Sequence, residues 1–364
     1  MVKHGKKRFR GTVPLTVLTD GDRIKDVAVV GAGVTGMSAA LTLAESGYSA
    51  DVFEKEEDPG GHVGAWHSLF PGGESARDLM AGFRQELVSR GIRIRTGTEV
   101  TAVDRSNGYY TLQTTGGEPE KFRSVLVSTG YRLFDASRKE EYGFGVYPYV
   151  ITSAELEKRL EQGDRALLVG GMEPGKVAFV HCVGSRDSKA GNLYCSRVCC
   201  ITGVKQAIAV KELYPDCEVL NFYMDLRMYG VGYEELYQKA QEHHGIQFIR
   251  GRVSEAAPTR SGAIQVKAED TLLGVPLKTE VDWLVLLVGM EPADGTARIT
   301  GSLDIDRDSS GFLRGKQSMV KPWAAESRGI FIAGACCGPA TVPESVTQGR
   351  AAAVSVVQYL SGKA

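Results

Sequence analysis

The sequence of 364 residues predicts an α/β fold in which two dinucleotide-binding units follow one another, the second of them altered. Three observations predict this. A glycine-rich turn, Gly31-Ala-Gly33-Val34-Thr35-Gly36, follows a short apolar run and opens a helical pattern. A later stretch repeats the order of elements around that turn. Where the repeat should carry its own glycine turn, four cysteines stand instead.

Composition sets the outer bounds. The length suits about two domains at ~150 residues each. Hydrophobic residues make up 43% and charged residues 24%, the balance of a chain that buries a large core. The net charge of −1 gives no global attraction to nucleic acid or an anionic membrane. No apolar run reaches the ~20 residues of a membrane span. Met1 to Arg10 is basic with no apolar stretch behind it, which reads as a solvated tail rather than a secretory signal. The seven cysteines are odd in number, so metal or redox chemistry is expected rather than a disulfide framework, and a cytoplasmic location follows.

In the first unit, Val27 to Val30 reads as a buried parallel strand and Met37 to Ser46 as a helix with one apolar face. A second strand, Ala50 to Phe53, delivers Glu54. In this arrangement Gly31 permits the tight turn, Gly33 admits a pyrophosphate close to the backbone, and Gly36 lets helix and strand pack. The helix N-terminus offers free N–H groups to phosphates. Glu54 is placed to accept ribose hydroxyls.

Glu54 is followed by Lys55 and, a little further on, by Gly60-Gly61-His62. This glycine pair resembles that of flavoproteins of the glutathione reductase and thioredoxin reductase type, and the resemblance favours FAD over NAD. Val125 to Val127 leads into Ser128-Thr129-Gly130, similar to a turn that those proteins set against FAD. Ile330 to Ala333 ends at Gly334, like the strand of that family whose glycine and aspartate meet the ribitol. Here Ala335-Cys336 replaces the aspartate. The FAD-facing set implied by this likeness is Gly31, Gly33, Val34, Thr35, Gly36, Glu54, Lys55, Gly60, Gly61, His62, Val100, Thr129, Gly130 and Gly334.

The repeat runs through Val177 to Val180, Cys199 to Tyr214, Val219 to Met224 and Tyr233 to His244, and ends at Gly245-Ile-Gln-Phe-Ile-Arg-Gly251. This tail matches Gly91-Ile-Arg-Ile-Arg-Thr-Gly97 of the first unit. A meander and an apolar strand follow each. The expected division is 20–175 with 300–364 for the FAD domain, and 176–299 for the cysteine-bearing domain. The missing glycine turn predicts poor binding of a nicotinamide cofactor by the second unit.

The cysteines follow the pattern Cys182-x12-Cys195-x3-Cys199-Cys200. Four thiolates hold an iron–sulfur cluster or a zinc ion. Adjacent cysteines at a helix start point about 100° apart, which suits corners of a large cluster. Helix N–H groups also stabilise thiolates. By spacing alone, iron–sulfur, zinc, redox-dithiol and inert readings all stand.

The surrounding motif is longer. Val180-His-Cys-Val-Gly-Ser-Arg-Asp187, Tyr194-Cys-Ser-Arg-Val-Cys-Cys200, Lys205-Gln-Ala and Tyr223-Met-Asp-Leu-Arg227 together resemble the A-type subunit of heterodisulfide reductase, and the likeness extends from about Val27 to Leu360. It implies a thioredoxin-reductase-like flavoprotein whose second unit carries a 4Fe-4S cluster on Cys182, Cys195, Cys199 and Cys200. It also implies iron–sulfur partner subunits of the B and C types and a homodimeric core. The sequence has no Cys-x2-Cys-x2-Cys-x3-Cys ferredoxin run, and in this it looks like the compact subunit of sulfur-oxidation complexes.

The resemblance assigns Lys205 to the flavin N5 region, where its charge would stabilise reduced flavin; the plain alternative is a solvated lysine. It aims the helix that starts around Thr341 or Val342 at the flavin pyrimidine, with Pro343 and Glu344 in the first turn. Cys336 and Cys337 read either as a vicinal redox pair near the flavin, whose small ring would be strained, or as small buried residues, and Cys217 reads as core. Arg186 and Asp187 read equally as cluster-positioning, partner-docking or a local ion pair. Two other functions remain open on sequence: a self-contained NAD(P)H-dependent flavin disulfide reductase, and a zinc-stabilised flavoprotein scaffold.

Overall fold

A computed structural model describes residues 24–301, 303, 305–316, 322–325 and 328–362. The basic N-terminal tail lies outside the described residues.

The chain starts with β1 (Lys25–Val30), α1 (Val34–Glu45) and β2 (Ala50–Phe53). Then come α2 (Ala76–Ser89), β3 (Arg93–Arg95), and a meander of β4 (Val100–Ser106), β5 (Tyr109–Thr114) and β6 (Glu120–Val127). β7 (Tyr131–Leu133) leads away to β8 (Val150–Thr152) and α3 (Ser153–Leu160). The design then repeats as β9 (Lys176–Val183), α4 (Cys199–Leu213), β10 (Glu218–Tyr223), α5 (Tyr233–Glu242) and β11 (Gln247–Arg250). A second meander, β12 (Val253–Pro258), β13 (Ile264–Asp270) and β14 (Val275–Val281), precedes β15 (Trp283–Val288). β16 (Met290–Pro292), α6 (Asp294–Gly301), β17 (Ile330–Ile332) and α7 (Val342–Leu360) close the chain.

Two parallel sheet cores result. The first has the order β3-β2-β1-β6, with β17 also parallel to β6; the second has the order β11-β10-β9-β15-β8. Parallel strands need cover on both faces, and their sequences show it. Val27 to Val30 and Val125 to Val127 are buried throughout. Helices α1 and α7 cover one face of the first sheet, while the meander and Ile299 lie against the other. The tight α1–α7 contact depends on Gly349, where a Cβ would lie 2.3 Å from the Thr35 carbonyl oxygen.

The expected division at 175/176 falls late. β8 and α3 already belong to the second sheet, because β8 pairs with β15 in register Leu284–Val150. A three-residue strand with no periodic signal hides this change of sheet from a sequence reading. The antiparallel pair β7–β16 then joins the two crossing points of the chain.

Candidate flavin cleft and cysteine loop

The glycine turn is dictated by clearances. A Cβ at Gly31, where φ is +104°, would lie 2.4 Å from Ser128 O. A Cβ at Gly36 would lie 1.9 Å from Gly31 O. Both positions are closed to any side chain by backbone packing. Gly33 is different: a Cβ there meets nothing within 4 Å, so the turn opens outward at this residue. Helix α1 has Gly33 as its N-cap, with no side-chain cap and no acidic residue in its first turn. Its start therefore carries no side chain that competes for its first N–H groups, as an anion-binding helix start requires.

Glu54 is buried at the end of β2. Its Oε2 accepts the Ala32 N–H at 2.8 Å, and its Oε1 accepts the Glu56 N–H at 3.1 Å. These bonds fix the carboxylate beside the turn. The Gly60 N–H donates to Ala32 O at 2.9 Å, which draws the glycine pair against the turn. Gly61 follows with φ +57°. His62 stacks on Tyr131 with ring centroids 4.2 Å apart, and its Nε2 donates to Tyr131 O at 2.9 Å. Burial pushes the imidazole below its usual range. Lys55 stays exposed, paired with Glu56. Val100 is buried at the start of β4. Thr129 bonds the Thr296 hydroxyl at 2.8 Å, and Gly130 has φ +68°. Gly334, with φ +83°, sits against Thr35, where a Cβ would approach the Thr35 hydroxyl to 2.3 Å.

A narrow cleft lies between the two units. Trp66, Phe70 and Tyr131 line it from the first unit; Glu157, Cys199 and Lys205 line it from the second. Lys205 is not the solvated lysine of the plain reading. It is 9% exposed, with Nζ 2.7 Å from Glu157 Oε1 and 2.7 Å from Ser68 O. Burial lowers its pKa, against the pull of Glu157. Glu157 also accepts the Gln206 amide at 2.6 Å and the His67 N–H at 3.0 Å. The carboxylate thus holds the lysine at the cleft wall.

The cysteine segment is the most strained part of the described backbone. Four non-glycine residues have left-handed φ, and three of them are Cys182, Arg186 and Arg197. Each such residue costs on the order of 1–3 kcal/mol and persists only where its surroundings enforce it. Cys182, Cys199 and Cys200 are buried in one cluster. The neighbouring Cys182 and Cys200 sulfurs, with burial, push the Cys199 thiol well above its ordinary range. Cys199 in turn lowers the Cys182 and Cys200 thiols, and His181 lowers that of Cys200 further.

Three of the four expected ligand sulfurs therefore gather at the α4 N-terminus. The fourth, Cys195 Sγ, accepts the Arg197 N–H at 3.3 Å in the loop before that helix. Among the described residues, no group of three or more His, Cys, Asp or Glu side chains is arranged to hold a metal ion. The donor chemistry of these four cysteines fits a thiolate-bound group.

Other expectations resolve simply. Arg186 pairs with Asp225 at 2.6 Å, and Asp187 with Lys139 at 2.8 Å, so both make local ion pairs. Cys336 is buried, its sulfur 3.9 Å from that of Cys337 and 3.1 Å from Ala333 O. Both are free thiols. Cys217 is core, its thiol pushed up to about 11 by burial. Thr341 is the N-cap of α7 and forms a capping box with Glu344, with Pro343 in the first turn. Sequence reasoning missed Arg197, Glu157 and Trp66. Of these only Arg197, set between two cysteines, carried any local signal.

The two units have the fold of the pyridine nucleotide-disulphide oxidoreductase class, and residues 25–175 match the family of that name. Among solved structures, thioredoxin reductase of T. acidophilum aligns with a TM-score of 0.67 at 20% identity, over 94% of this chain and 100% of that one. Thioredoxin reductase of Lactococcus lactis aligns with a TM-score of 0.66 at 19% identity, over 93% and 99%. These show the FAD-binding oxidoreductase fold.

Within that class the chain is a homologue of the A-type subunits of heterodisulfide reductase. The A-type subunit of the Ferredoxin/F(420)H(2)-dependent CoB-CoM heterodisulfide reductase of Methanosarcina acetivorans is 32% identical over 94% of this chain and 54% of its own length. One of two iron-sulfur A-type subunits of the CoB–CoM heterodisulfide reductase of Methanopyrus kandleri is 32% identical over 92% and 64%. The other such subunit of that organism is 41% identical over 65% of this chain and 37% of its own length. The chain thus spans little more than half to under two thirds of the first two relatives. No helix among the described residues is long and apolar enough to cross a membrane.

Proposed function

We propose that the chain is the FAD and iron–sulfur electron-transfer subunit of a heterodisulfide-reductase-like complex. One observation carries this reading: Cys199 and Lys205 line the same cleft as Trp66 and Tyr131 of the flavin-binding unit. A flavin reaching that cleft from the Gly31–Gly36 turn is adjacent to the gathered thiols.

In this reading Gly33 and the first turn of α1 hold the pyrophosphate, Glu54 the ribose, and Gly60, Gly61 and His62 the approach to the cleft. Val34, Thr35, Gly36, Lys55, Val100, Thr129, Gly130 and Gly334 complete the flavin surround. Pro343 and Glu344 present the α7 N-terminus. Lys205, positioned by Glu157, places positive charge at the cleft wall, where it favours an anionic reduced flavin. Cys182, Cys195, Cys199 and Cys200 are the proposed ligands of a 4Fe-4S cluster, which supplies one-electron exchange beside a two-electron cofactor. Partner iron–sulfur subunits of the B and C types, a homodimeric core, a cytoplasmic location and a place in sulfur metabolism belong to the same proposal. The name of one relative as an iron-sulfur subunit supports it.

A second reading is favoured by the burial of three thiols together. Cys182, Cys199 and Cys200 are free thiols of one buried cluster, a setting that suits a redox dithiol beside a flavin. Anaerobic purification separates the two. Iron and acid-labile sulfide with bound FAD support the cluster; FAD without either metal or sulfide, with rapid bleaching by NADH, supports the dithiol.

A further inference from the structure

Arg197 reaches out of its own unit. Its backbone is left-handed, with φ +62°, and its N–H donates to Cys195 Sγ. Its guanidinium donates to Pro339 O at 2.9 Å, to Glu344 Oε1 at 2.6 Å and to the Tyr229 hydroxyl at 2.8 Å. Pro339 precedes the Thr341 cap of α7, and Glu344 closes that cap. One residue therefore touches a cysteine sulfur through its backbone and the entry of α7 through its side chain.

These contacts do little for global stability. The Arg197 and Glu344 side chains are 34% and 39% exposed, and ion pairs so placed contribute little to stability. Their geometry is nonetheless specific, because a planar fork binds a carboxylate and a carbonyl at once. The left-handed backbone fixes where that fork starts. Any shift of the Gly334–Thr341 segment must then move the Cys195 turn, and the reverse.

We propose that Arg197 is the positioning residue that couples occupancy of the flavin site to the geometry of the cysteine loop. This rests on the function proposed above. A flavin settling against Gly334 and the first turn of α7 fixes the Pro339 carbonyl and the Glu344 carboxylate. Arg197 passes that constraint to Cys195. The coupling is reciprocal: modification of the loop weakens flavin binding by the factor by which flavin protects the loop.

The test uses the full-length chain, reduced and treated with chelator. Alkylation of Cys195 by iodoacetamide is followed residue by residue by mass spectrometry, with and without FAD, while flavin fluorescence reports binding in the same samples. The coupling predicts that FAD slows Cys195 alkylation at least about fivefold, the low end of inter-site couplings. Arg197→Met binds FAD and loses this protection. Arg197→Lys keeps the charge without the fork and retains only part of it. Equal protection in the wild type and Arg197→Met overturns the inference, as does a wild type that binds FAD with no protection. If Arg197→Met does not fold, Tyr229→Phe removes a contact that holds the guanidinium and must weaken the response while FAD still binds. A wild-type chain that binds no FAD at all fails on fluorescence, which refutes the proposed function and the coupling with it.

Discussion

Lys205 Nζ and Glu157 Oε1 lie 2.7 Å apart in the cleft wall that they share with Cys199. Both side chains are more than nine-tenths buried, so neither partner is replaceable by water. Removing one member of a buried pair leaves an uncompensated charge, at about 3–5 kcal/mol. Glu157→Ala should therefore lower unfolding free energy by about that amount in urea titration. An effect under about 1 kcal/mol would show the pair to be solvated.

Lys205→Met tests the charge rather than the pairing. Losing a cation beside reduced flavin makes the flavin harder to reduce. A drop of about 30 mV or more in the two-electron midpoint potential is expected, equivalent to about 1.4 kcal/mol. An unchanged potential removes Lys205 from the flavin surround.

The glycine turn supplies a contrast between neighbours. Gly33→Ala places a methyl in open space, so thermal unfolding should stay within about 0.5 kcal/mol of the wild type. FAD affinity should fall by at least about tenfold, because the methyl occupies the pyrophosphate approach. Gly36→Ala drives a methyl into Gly31 O, and the folded yield itself should collapse. Equal FAD binding by Gly33→Ala and the wild type would place the phosphates elsewhere.

Acid stability traces to a surface network on the first sheet. Arg95 and Lys25 both bond Glu120, and both also bond Asp51. Arg95 is the main cause of a Glu120 pKa lowered to about 2. A depressed carboxylate pKa stabilises the folded state fully above its ordinary value and loses that contribution as pH falls towards the folded value. The loss therefore falls between about pH 4.5 and pH 2. After discounting for solvent, Glu120→Gln should lower stability by about 1–2 kcal/mol at pH 7 and by much less near pH 2.5. A pH-independent effect would assign the loss to packing.

Much of the first unit was legible because one physical pattern covers it. A buried parallel strand, a turn that backbone clearance limits to glycine, and a carboxylate tied back to Ala32 all leave local marks in sequence. The second unit was legible through its repeat, down to α4 starting at Cys199. What escaped was non-local. β8 is three residues long and finds its sheet through β15, more than 130 positions later. Glu157 meets Lys205 across two helices, and Arg197 meets Glu344 across the two units. The cysteine spacing suggested one four-sulfur site, but nothing in it marked the left-handed turn at Arg197 that sets a backbone N–H on Cys195 Sγ.

The central claim is that a flavin and a thiolate-bound cluster share one cleft. Its most direct measurement is iron, acid-labile sulfide and FAD per chain after anaerobic purification, for the wild type and for Cys182→Ala, Cys195→Ala, Cys199→Ala, Cys200→Ala and Cys337→Ala. About four iron and four sulfide per FAD are predicted in the wild type and in Cys337→Ala, with a loss of most iron in each of the other four. FAD with zinc or no metal in the wild type, or iron that survives all four substitutions, would contradict it.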